Sequence, residues 1–327
     1  MGKTVFFWPS KNPVLSIPLA LALGFLIGLQ ADTTFLSSSI LIFTFLMIYP
    51  TMIGVKLREA FDLSHAKVVG ISLLINFLLI PLLAWGLGKV FLSNDPTMMA
   101  GLAIAGLLPT SGMTISWTMM FKGNVPAAVK MTALSLIVGS LLAPFYLLLM
   151  VGKYVPVDIM KTFTTIAIIV FLPMILGHFT FQQLLRRYGQ EHFQKVLKPY
   201  MPAFSFWAML AVIFSSISMK AKTVIAQPHL IGGILVALVI FYLANFTVST
   251  VMARLFFAKP DGIALIYGTV MRNLSIALGL AITAFGPQAG LVVTLAFILQ
   301  VQAAAWYGKL AEQYHFFGKP QEVTAKQ

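Results

Sequence analysis

The sequence predicts an all-helical protein that crosses a lipid bilayer many times, and its composition, its apolar runs and its basic residues all support that class. Of the 327 residues, 59% are hydrophobic and only 9% are charged, whereas a soluble domain carries about 25% charged residues. The mean hydropathy is +0.92. Because the chain has no cysteine, disulfides and thiolate metal sites are excluded. No cofactor is expected, and an enzyme is the least favoured class, since few catalytic constellations remain without thiols or intramembrane carboxylates.

Ten apolar runs divide the chain into candidate transmembrane helices. Most are 18 to 26 residues long, which suits a hydrocarbon core about 30 Å thick. Numbered spans 1 to 10, they lie at about residues 13–30, 34–55, 67–92, 97–121, 125–150, 159–183, 201–219, 229–256, 262–285 and 288–310.

The basic residues indicate how the chain is oriented. The two termini and the connections after even-numbered spans carry 15 of the 22 lysines and arginines, whereas the connections after odd-numbered spans carry 5. Because cytoplasmic loops are enriched in Lys and Arg, we predict a multi-pass protein of the inner (plasma) membrane with both termini in the cytoplasm. The same distribution explains the net charge of +13, so the lipid bilayer, and not nucleic acid, is the expected partner.

Residues 1–158 and 159–327 are predicted to form two inverted five-helix repeats, because an odd number of spans reverses the orientation of the second half. Span 4 is interrupted at residues 109–112, and span 9 is interrupted around residue 272. The features at corresponding places in the two halves are Pro109 and Arg272, Gly123 and Gly286, each pair 163 residues apart, and Asn76-Phe77 and Asn245-Phe246.

The two interruptions mark the predicted solute site. Proline removes a backbone donor, and freed backbone groups inside a bilayer are tolerated only where they are buried in protein or line a cavity. Broken helices that cross near the midplane, at matching places of inverted halves, are typical of a transporter's binding site. Arg272 lies about 15 Å into span 9 at 1.5 Å per residue, where a charge is a functional candidate. The predicted solute-binding residues are Arg272, Asn273, Ser275, Thr110, Ser111, Gly112, Met113, Asn76, Asn245 and Gln300.

The carboxylates favour an anionic solute. All nine fall in loops or at the ends of spans: Asp32, Glu59, Asp62, Asp95, Asp158, Glu191, Asp261, Glu312 and Glu322. The interior therefore holds an arginine and helix N-termini, which complement an anion. A strong sodium site would want a carboxylate or a cage of carbonyls and amides, so strong sodium coupling is not expected. Whether sodium or a proton couples to transport is left open.

Three stretches resemble the superfamily that joins bile acid:sodium symporters with arsenical-resistance arsenite efflux permeases, and they are closer to the arsenite-permease branch. The stretches are Leu46-Met47-Ile48-Tyr49-Pro50 with Val55-Lys56, Pro109-Thr110-Ser111-Gly112-Met113 with Trp117 and Gly123-Asn124, and Arg272-Asn273-Leu274-Ser275-Ile276-Ala277. The resemblance covers all ten spans. It implies a panel domain of spans 1, 2, 6 and 7, a core domain of spans 3–5 and 8–10 with crossed spans 4 and 9, and alternating access.

The chain departs from this superfamily at four positions. Thr110 stands where the arsenite permeases carry a cysteine, and Ser275 stands where they carry a glutamate. Trivalent arsenic needs a soft thiolate ligand, so arsenite is not the expected solute. In the sodium symporters span 9 offers a glutamate and a glutamine to the ions; Gly268 and Arg272 occupy those places here. The guanidinium therefore stands where a cation would.

The sequence predicts a secondary transporter for a small anionic solute, not strongly coupled to sodium. For an uncoupled anion, an inside-negative membrane potential favours efflux by about 2.3 kcal/mol per charge per 100 mV. Three alternatives stay open: a sodium-coupled organic-anion symporter of the bile-acid type, an arsenical or oxyanion efflux permease, and a sensor or scaffold that transports nothing.

Overall fold

The computed structural model of the protein describes residues 2–55, 64–226, 228–313 and 316, and the regular elements of this part of the chain are helices. The first half contains α1 (Gly2–Lys11), α2 (Pro13–Gln30), α3 (Ile40–Met52), α4 (Ala66–Leu74), α5 (Ile80–Phe91), α6 (Pro96–Leu107), α7 (Gly112–Met120) and α8 (Val125–Val151). The second half contains α9 (Ile159–Ile166), α10 (Leu172–His192), α11 (Tyr200–Ser218), α12 (Ala221–Ala226), α13 (Pro228–Phe256), α14 (Lys259–Val270), α15 (Leu274–Phe285) and α16 (Pro287–Gln313).

Short stretches of other helix types complete the spans. A 3-10 helix (Thr34–Ser39) leads into α3. Turns of π-helix join α4 to α5 (Ile75–Leu79), join α9 to α10 (Ala167–Phe171) and follow α10 (Phe193–Leu197). Lys56, Glu59, Asp62 and Glu322, named above from the sequence, lie outside the described residues.

Within the described residues, seven helices are long and apolar enough to cross a membrane, or eight if the bent pair α1 and α2 counts as one. The protein is therefore a polytopic membrane protein. The seven lie at Thr34–Met52, Ala66–Phe91, Val125–Val151, Ile159–Leu197, Tyr200–Ser218, Ile231–Phe256 and Pro287–Ala311. The number falls short of the ten predicted spans because residues 97–121 and 262–285 each form two short helices, α6 with α7 and α14 with α15.

The first span begins differently from the prediction. Residues ahead of Pro13 form helix α1, inclined by 94° to α2. Pro13 has no N–H to continue the preceding helix and instead opens α2. The aromatic rings of Phe6 and Phe7 contact Tyr200 of α11, and the Trp207 indole N–H donates to the Phe6 carbonyl at 3.0 Å. These contacts hold α1 against α11, across the end of α2.

The sixth span is longer than its apolar run. The run ends near residue 183, yet the helical chain continues through α10 and its π-helical turn to Leu197. Gly189, with φ of +78°, produces a kink in this extension. The additional residues are mostly polar and exposed. The apolar run therefore ends before the helix does.

Three of the four short helices lie at the centre of the fold. Residues 98–107 of α6, residues 262–270 of α14 and most of α15 are buried. Glycine permits the close approach that this requires, because Gly101 of α6 faces the main chain of Ala289 in α16. The fourth, α7, differs from the others. Only Thr114 and Thr118 of its nine residues are buried.

The helices pack in two groups. In one group, α11 packs against α1, α2 and α3, and α10 packs against α3. In the other, α6 packs against α5, α8, α15 and α16, and α14 packs against α4, α7, α8 and α13. The groups meet where α15 lies on α3 and α9 and where α16 lies on α2 and α11. Helix α7 packs on α8 and α14 of its own group.

Candidate functional site

The two interrupted spans meet at their interruptions. Pro109, between α6 and α7, pairs with Arg272, between α14 and α15, as an antiparallel β-bridge. The main-chain N–H of Asn273 donates to the Leu108 carbonyl at 2.7 Å. Freed backbone groups inside a membrane protein must find partners, and here each interruption supplies partners for the other. The crossing is thus a single β-bridge that lies among four helix ends.

Thr110 gives the first interruption its shape. Its φ is +58°, a left-handed conformation that is uncommon for a residue other than glycine. The side chain is fully buried, and its hydroxyl donates to the Pro109 carbonyl at 2.8 Å. The residue therefore turns the chain from α6 into α7 and leaves no hydroxyl open for a ligand in this conformation.

The Arg272 guanidinium joins the ends of α6 and α14. The side chain is fully buried, and Nε donates to the Ala105 carbonyl at 3.4 Å. One terminal nitrogen donates to the Asn76 amide oxygen at 2.5 Å and to the Thr269 carbonyl at 3.1 Å. The other donates to the Gly106 carbonyl. These carbonyls belong to the last turns of the two helices, where no intrahelical donor exists. Arg272 therefore caps both helix C-termini.

Gln300 of α16 clamps the main chain at the same residue. Its amide oxygen accepts from the Arg272 N–H at 2.8 Å, and its amide nitrogen donates to the Arg272 carbonyl at 3.2 Å. The Tyr242 hydroxyl of α13 donates to the same amide oxygen at 3.3 Å. The clamp satisfies both backbone groups on the side of Arg272 that faces away from Pro109. Gln300 is thus buried behind the crossing and positions it.

Replacing Gln300 with alanine is expected to lower the free energy of unfolding by about 2 kcal/mol. The change leaves the buried Arg272 N–H without its acceptor, and it removes one of the two donors to the Arg272 carbonyl, which also accepts from the Leu274 N–H at 2.9 Å. Thermal unfolding of the purified protein measures the loss. Gln302→Ala is the matched control on the same helix, since Gln302 is half-buried and takes no part in the clamp. Equal melting temperatures for the two variants would contradict the prediction.

Two asparagines hold the end of α14. Asn76, within the π-helical turn between α4 and α5, donates to the Gly268 carbonyl at 2.9 Å. Asn245 of α13 donates to the Thr269 carbonyl at 3.2 Å. Both side chains are fully buried. The two residues therefore hold the end of α14 from two different elements, the α4–α5 turn and α13. The sequence drew attention to them because each precedes a phenylalanine.

The N-termini of α7 and α15 are the accessible part of the crossing. Gly112 is exposed, and Ser111, Met113, Asn273 and Ser275 are half-buried. The site residues expected from the sequence thus separate into two sets. These five reach a surface, whereas the other five, Thr110, Asn76, Asn245, Arg272 and Gln300, are fully buried.

Capping leaves one free N–H at each of these helix starts. At α7, the Ser111 hydroxyl accepts from the Met113 N–H at 3.2 Å, and the Ser111 carbonyl accepts from the next N–H. At α15, Asn273 accepts from the Ile276 N–H at 3.3 Å. The first N–H of α7, at Gly112, and the second of α15, at Ser275, find no acceptor among the described residues. A helix N-terminus with an unused N–H favours an anion.

Several residues of the crossing were not predicted from the sequence. Thr114 donates to the Tyr267 carbonyl at 3.3 Å and accepts from the Ser111 N–H, which completes a capping box. Ser72 accepts from Asn76, and Ser249 donates to Asn245. Helical spacing was the available signal, because Ser72 lies four residues before one asparagine and Ser249 four residues after the other. Thr269 and Tyr242 carried no such signal.

One contact joins the two helix groups at α15. A methyl group placed on Gly279 of α15 would lie 3.5 Å from Cβ of Thr44 in α3 and would overlap its γ-methyl. Glycine is therefore required for α15 to lie this close to α3. The Thr44 hydroxyl is fully buried and has no hydrogen-bond partner among the described residues. We refer to this contact as the Thr44–Gly279 seam.

The fold and the crossing define an integral membrane protein in which two interrupted helices meet through non-helical segments, an arrangement that secondary transporters use for solute and ion sites. A model of the sodium bile acid symporter family matches residues 41–227. The match covers more than half of the chain, so the protein belongs to this family. It is therefore a secondary transporter of the type that joins bile acid symporters with arsenical-resistance proteins, as the motifs suggested.

The chain is also similar to individual proteins whose names describe different functions. The chain is 26% identical over 260 residues to the uncharacterized protein YbaS of Bacillus subtilis, covering 79% of this chain and 83% of that protein. It is 22% identical over 254 residues to the arsenical-resistance protein Acr3 of Corynebacterium glutamicum, covering 73% and 68%. It is 24% identical over 220 residues to the probable sodium/metabolite cotransporter BASS1 of Arabidopsis thaliana, a chloroplastic protein, covering 64% and 52%.

Proposed function

We propose that the protein moves a small anionic solute across the inner membrane by alternating access, with the solute bound at the accessible face of the crossing. In this proposal α6 with α7 and α14 with α15 are the fourth and ninth of ten spans, arranged as two inverted repeats. The panel contains spans 1, 2, 6 and 7 and the core contains the remainder, with both termini in the cytoplasm. The observation that carries the proposal is the pair of open helix N-termini beside a buried arginine.

The negative group of the solute is assigned to the start of α7. The Gly112 N–H has no acceptor among the described residues, and beyond its chain neighbours and its own helix backbone no atom lies within 4 Å of where a side chain would begin there. Ser111 and Met113 flank this position, and Asn273 and Ser275 form the corresponding edge at α15. Arg272 lies behind this surface and is not itself a ligand of the solute, because its described hydrogen bonds go to protein oxygens. Thr110, Asn76, Asn245 and Gln300 hold the crossing in shape.

The charge balance of the interior supports an anion. The described carboxylates Asp32, Asp95, Asp158 and Asp261 lie in a connection or at helix N-termini, and Glu191 lies in the extension of α10. The crossing therefore has one arginine and, in the described residues, no carboxylate against it. The accessible starts of α7 and α15 present the positive ends of two helices to a solute, which favours an anion over a cation.

Proteoliposomes that contain the purified protein test the proposal. We expect phosphate, arsenate, pyruvate or taurocholate to raise the melting temperature in detergent, and the anion that does so should then cross proteoliposome membranes. A sodium gradient should have little effect, and an inside-negative potential should drive the anion outward. Protein-free liposomes are the control. If no anion in this panel binds or crosses, the anion proposal is wrong and a non-transporting scaffold is favoured.

A sodium-coupled organic-anion symporter is the second candidate, and the family match is the observation that favours it. It predicts that inward accumulation requires a sodium gradient and that binding is tighter with sodium than with potassium salts of the same anion. An oxyanion efflux permease is distinguished by its solute. Because Thr110 and the rest of the chain offer no thiolate, arsenite itself is not expected to bind.

A further inference from the structure

The positive charge of Arg272 lies in a cage of oxygen atoms, not against a carboxylate. The Ala105, Gly106 and Thr269 carbonyls and the Asn76 amide oxygen all accept from its guanidinium. The three carbonyls belong to the last turns of α6 and α14. Such helix ends carry roughly half a negative charge each, so together they approximately balance one cation.

Both ends of the arginine are held in place. The main chain is bridged to Pro109 and clamped by Gln300. The guanidinium is bound from α6, from α14 and from the turn that contains Asn76. The charge can therefore leave this cage only if the crossing itself comes apart. Carbonyls of helix C-termini and unwound backbone are also the ligands that hold sodium in broken-helix transporters.

We propose that the Arg272 guanidinium is a resident cation, which neutralises the α6 and α14 ends so that the native crossing needs no monovalent cation from solution. The oxygen cage is then a cation site filled by the chain's own side chain. This inference deepens the proposed function, since it gives the physical reason why anion transport would not require sodium. It also predicts that removing the side chain opens a site for a free cation of matching chemistry.

Arg272→Ala tests the proposal through stability, without any solute. The variant is solubilised and purified in N-methylglucamine chloride, and its melting temperature is measured with millimolar guanidinium, sodium or potassium chloride at constant ionic strength. We expect the melting temperature to fall by about 10 °C relative to wild type. Guanidinium should restore about 5 °C of this loss in a saturable manner, with a smaller restoration by sodium or potassium.

Asn245→Ala is the matched control. It also removes a donor to the Thr269 carbonyl, but it removes no charge and leaves Arg272 in the cage. Its melting temperature should therefore fall without any recovery on adding guanidinium. Equal recovery in both variants, or no cation response of Arg272→Ala, would overturn the proposal. Failure to obtain a folded Arg272→Ala variant even when guanidinium is present throughout would overturn it as well.

The wild-type protein supplies an independent measurement. Its melting temperature should be the same in N-methylglucamine, sodium and potassium chloride, because the cage is already filled. A rise of several degrees with sodium or potassium would show that the crossing still takes a cation from solution and would overturn the proposal. None of these measurements depends on which solute moves. A failure of the anion proposal, seen as absent binding and flux, is therefore distinguishable from a failure of the resident-cation proposal.

Discussion

Replacing Gly112 with aspartate is expected to weaken binding of the anionic solute by at least about 100-fold while leaving the protein as stable as before. Two negative charges about 4 Å apart repel by about 4 kcal/mol at an effective dielectric constant near 20, more than a 100-fold effect requires. The fold should tolerate the change, because beyond the chain neighbours and the helix's own backbone no atom lies within 4 Å of a Cβ at this position. An acidic residue in the first turn also stabilises a helix by about 0.3–1 kcal/mol.

Gly112→Asn is the control for this variant. Asparagine has the size of aspartate without its charge, so the neutral variant should keep most of the binding and of the flux. Anion-induced thermal stabilisation and proteoliposome flux measure both variants. If the aspartate variant binds the anion as tightly as the asparagine variant, the solute's charge does not lie at the start of α7. A loss in both variants to the same extent would indicate a steric effect and would also move the site elsewhere.

Cross-linking the Thr44–Gly279 seam is expected to stop transport almost completely. In the proposed alternating access, α15 of the proposed core must separate from α3 of the proposed panel when the opposite side closes. A Cβ at position 279 would lie 3.5 Å from Cβ of Thr44, within the 3.5–4.5 Å range of Cβ separations in disulfides. Because the native chain has no cysteine, the double variant Thr44→Cys with Gly279→Cys has only these two thiols, and they can form one intramolecular disulfide. Flux should be lost on oxidation and return on reduction.

Thr44→Cys alone is the control that separates arrest of motion from general damage. Its thiol has no second cysteine in the chain with which to form a disulfide, so oxidation of this variant should leave most of the flux intact. Undiminished flux with the oxidised Thr44–Gly279 pair would show that the seam does not open during transport.

The positions of the interruptions could be predicted from the sequence because they depend on local chemistry. Pro109 ends α6 by removing a donor, and Ser111 is a strong N-cap for α7. The family could also be predicted, since three short motifs carry it. The orientation, the inverted repeats and the division into panel and core remain predictions.

The roles of the residues at the crossing could not be read from the sequence in the same way. Arg272 was predicted to bind the solute because the sequence shows its depth in the membrane. The sequence does not show which protein oxygens accept hydrogen bonds from it. Two of those partners, Ala105 and Gly106, lie more than 160 residues away in the chain. Gln300 was predicted to bind the solute, whereas its contacts with the main chain of Arg272 depend on how α16 packs on α6 and α15.

The pairing of Arg272 with the end of α6 also has a consequence for how the protein is made. Ala105 and Arg272 are 167 positions apart, so at 5–20 residues per second the ribosome adds the arginine roughly 10 to 30 s after the alanine. During that interval the last carbonyls of α6 have no guanidinium to accept from, and the first half of the protein waits in the bilayer with an unfinished helix end. Synthesis that stops before residue 272 should therefore yield a product that membrane quality control degrades. The crossing is completed only when the second half has been inserted.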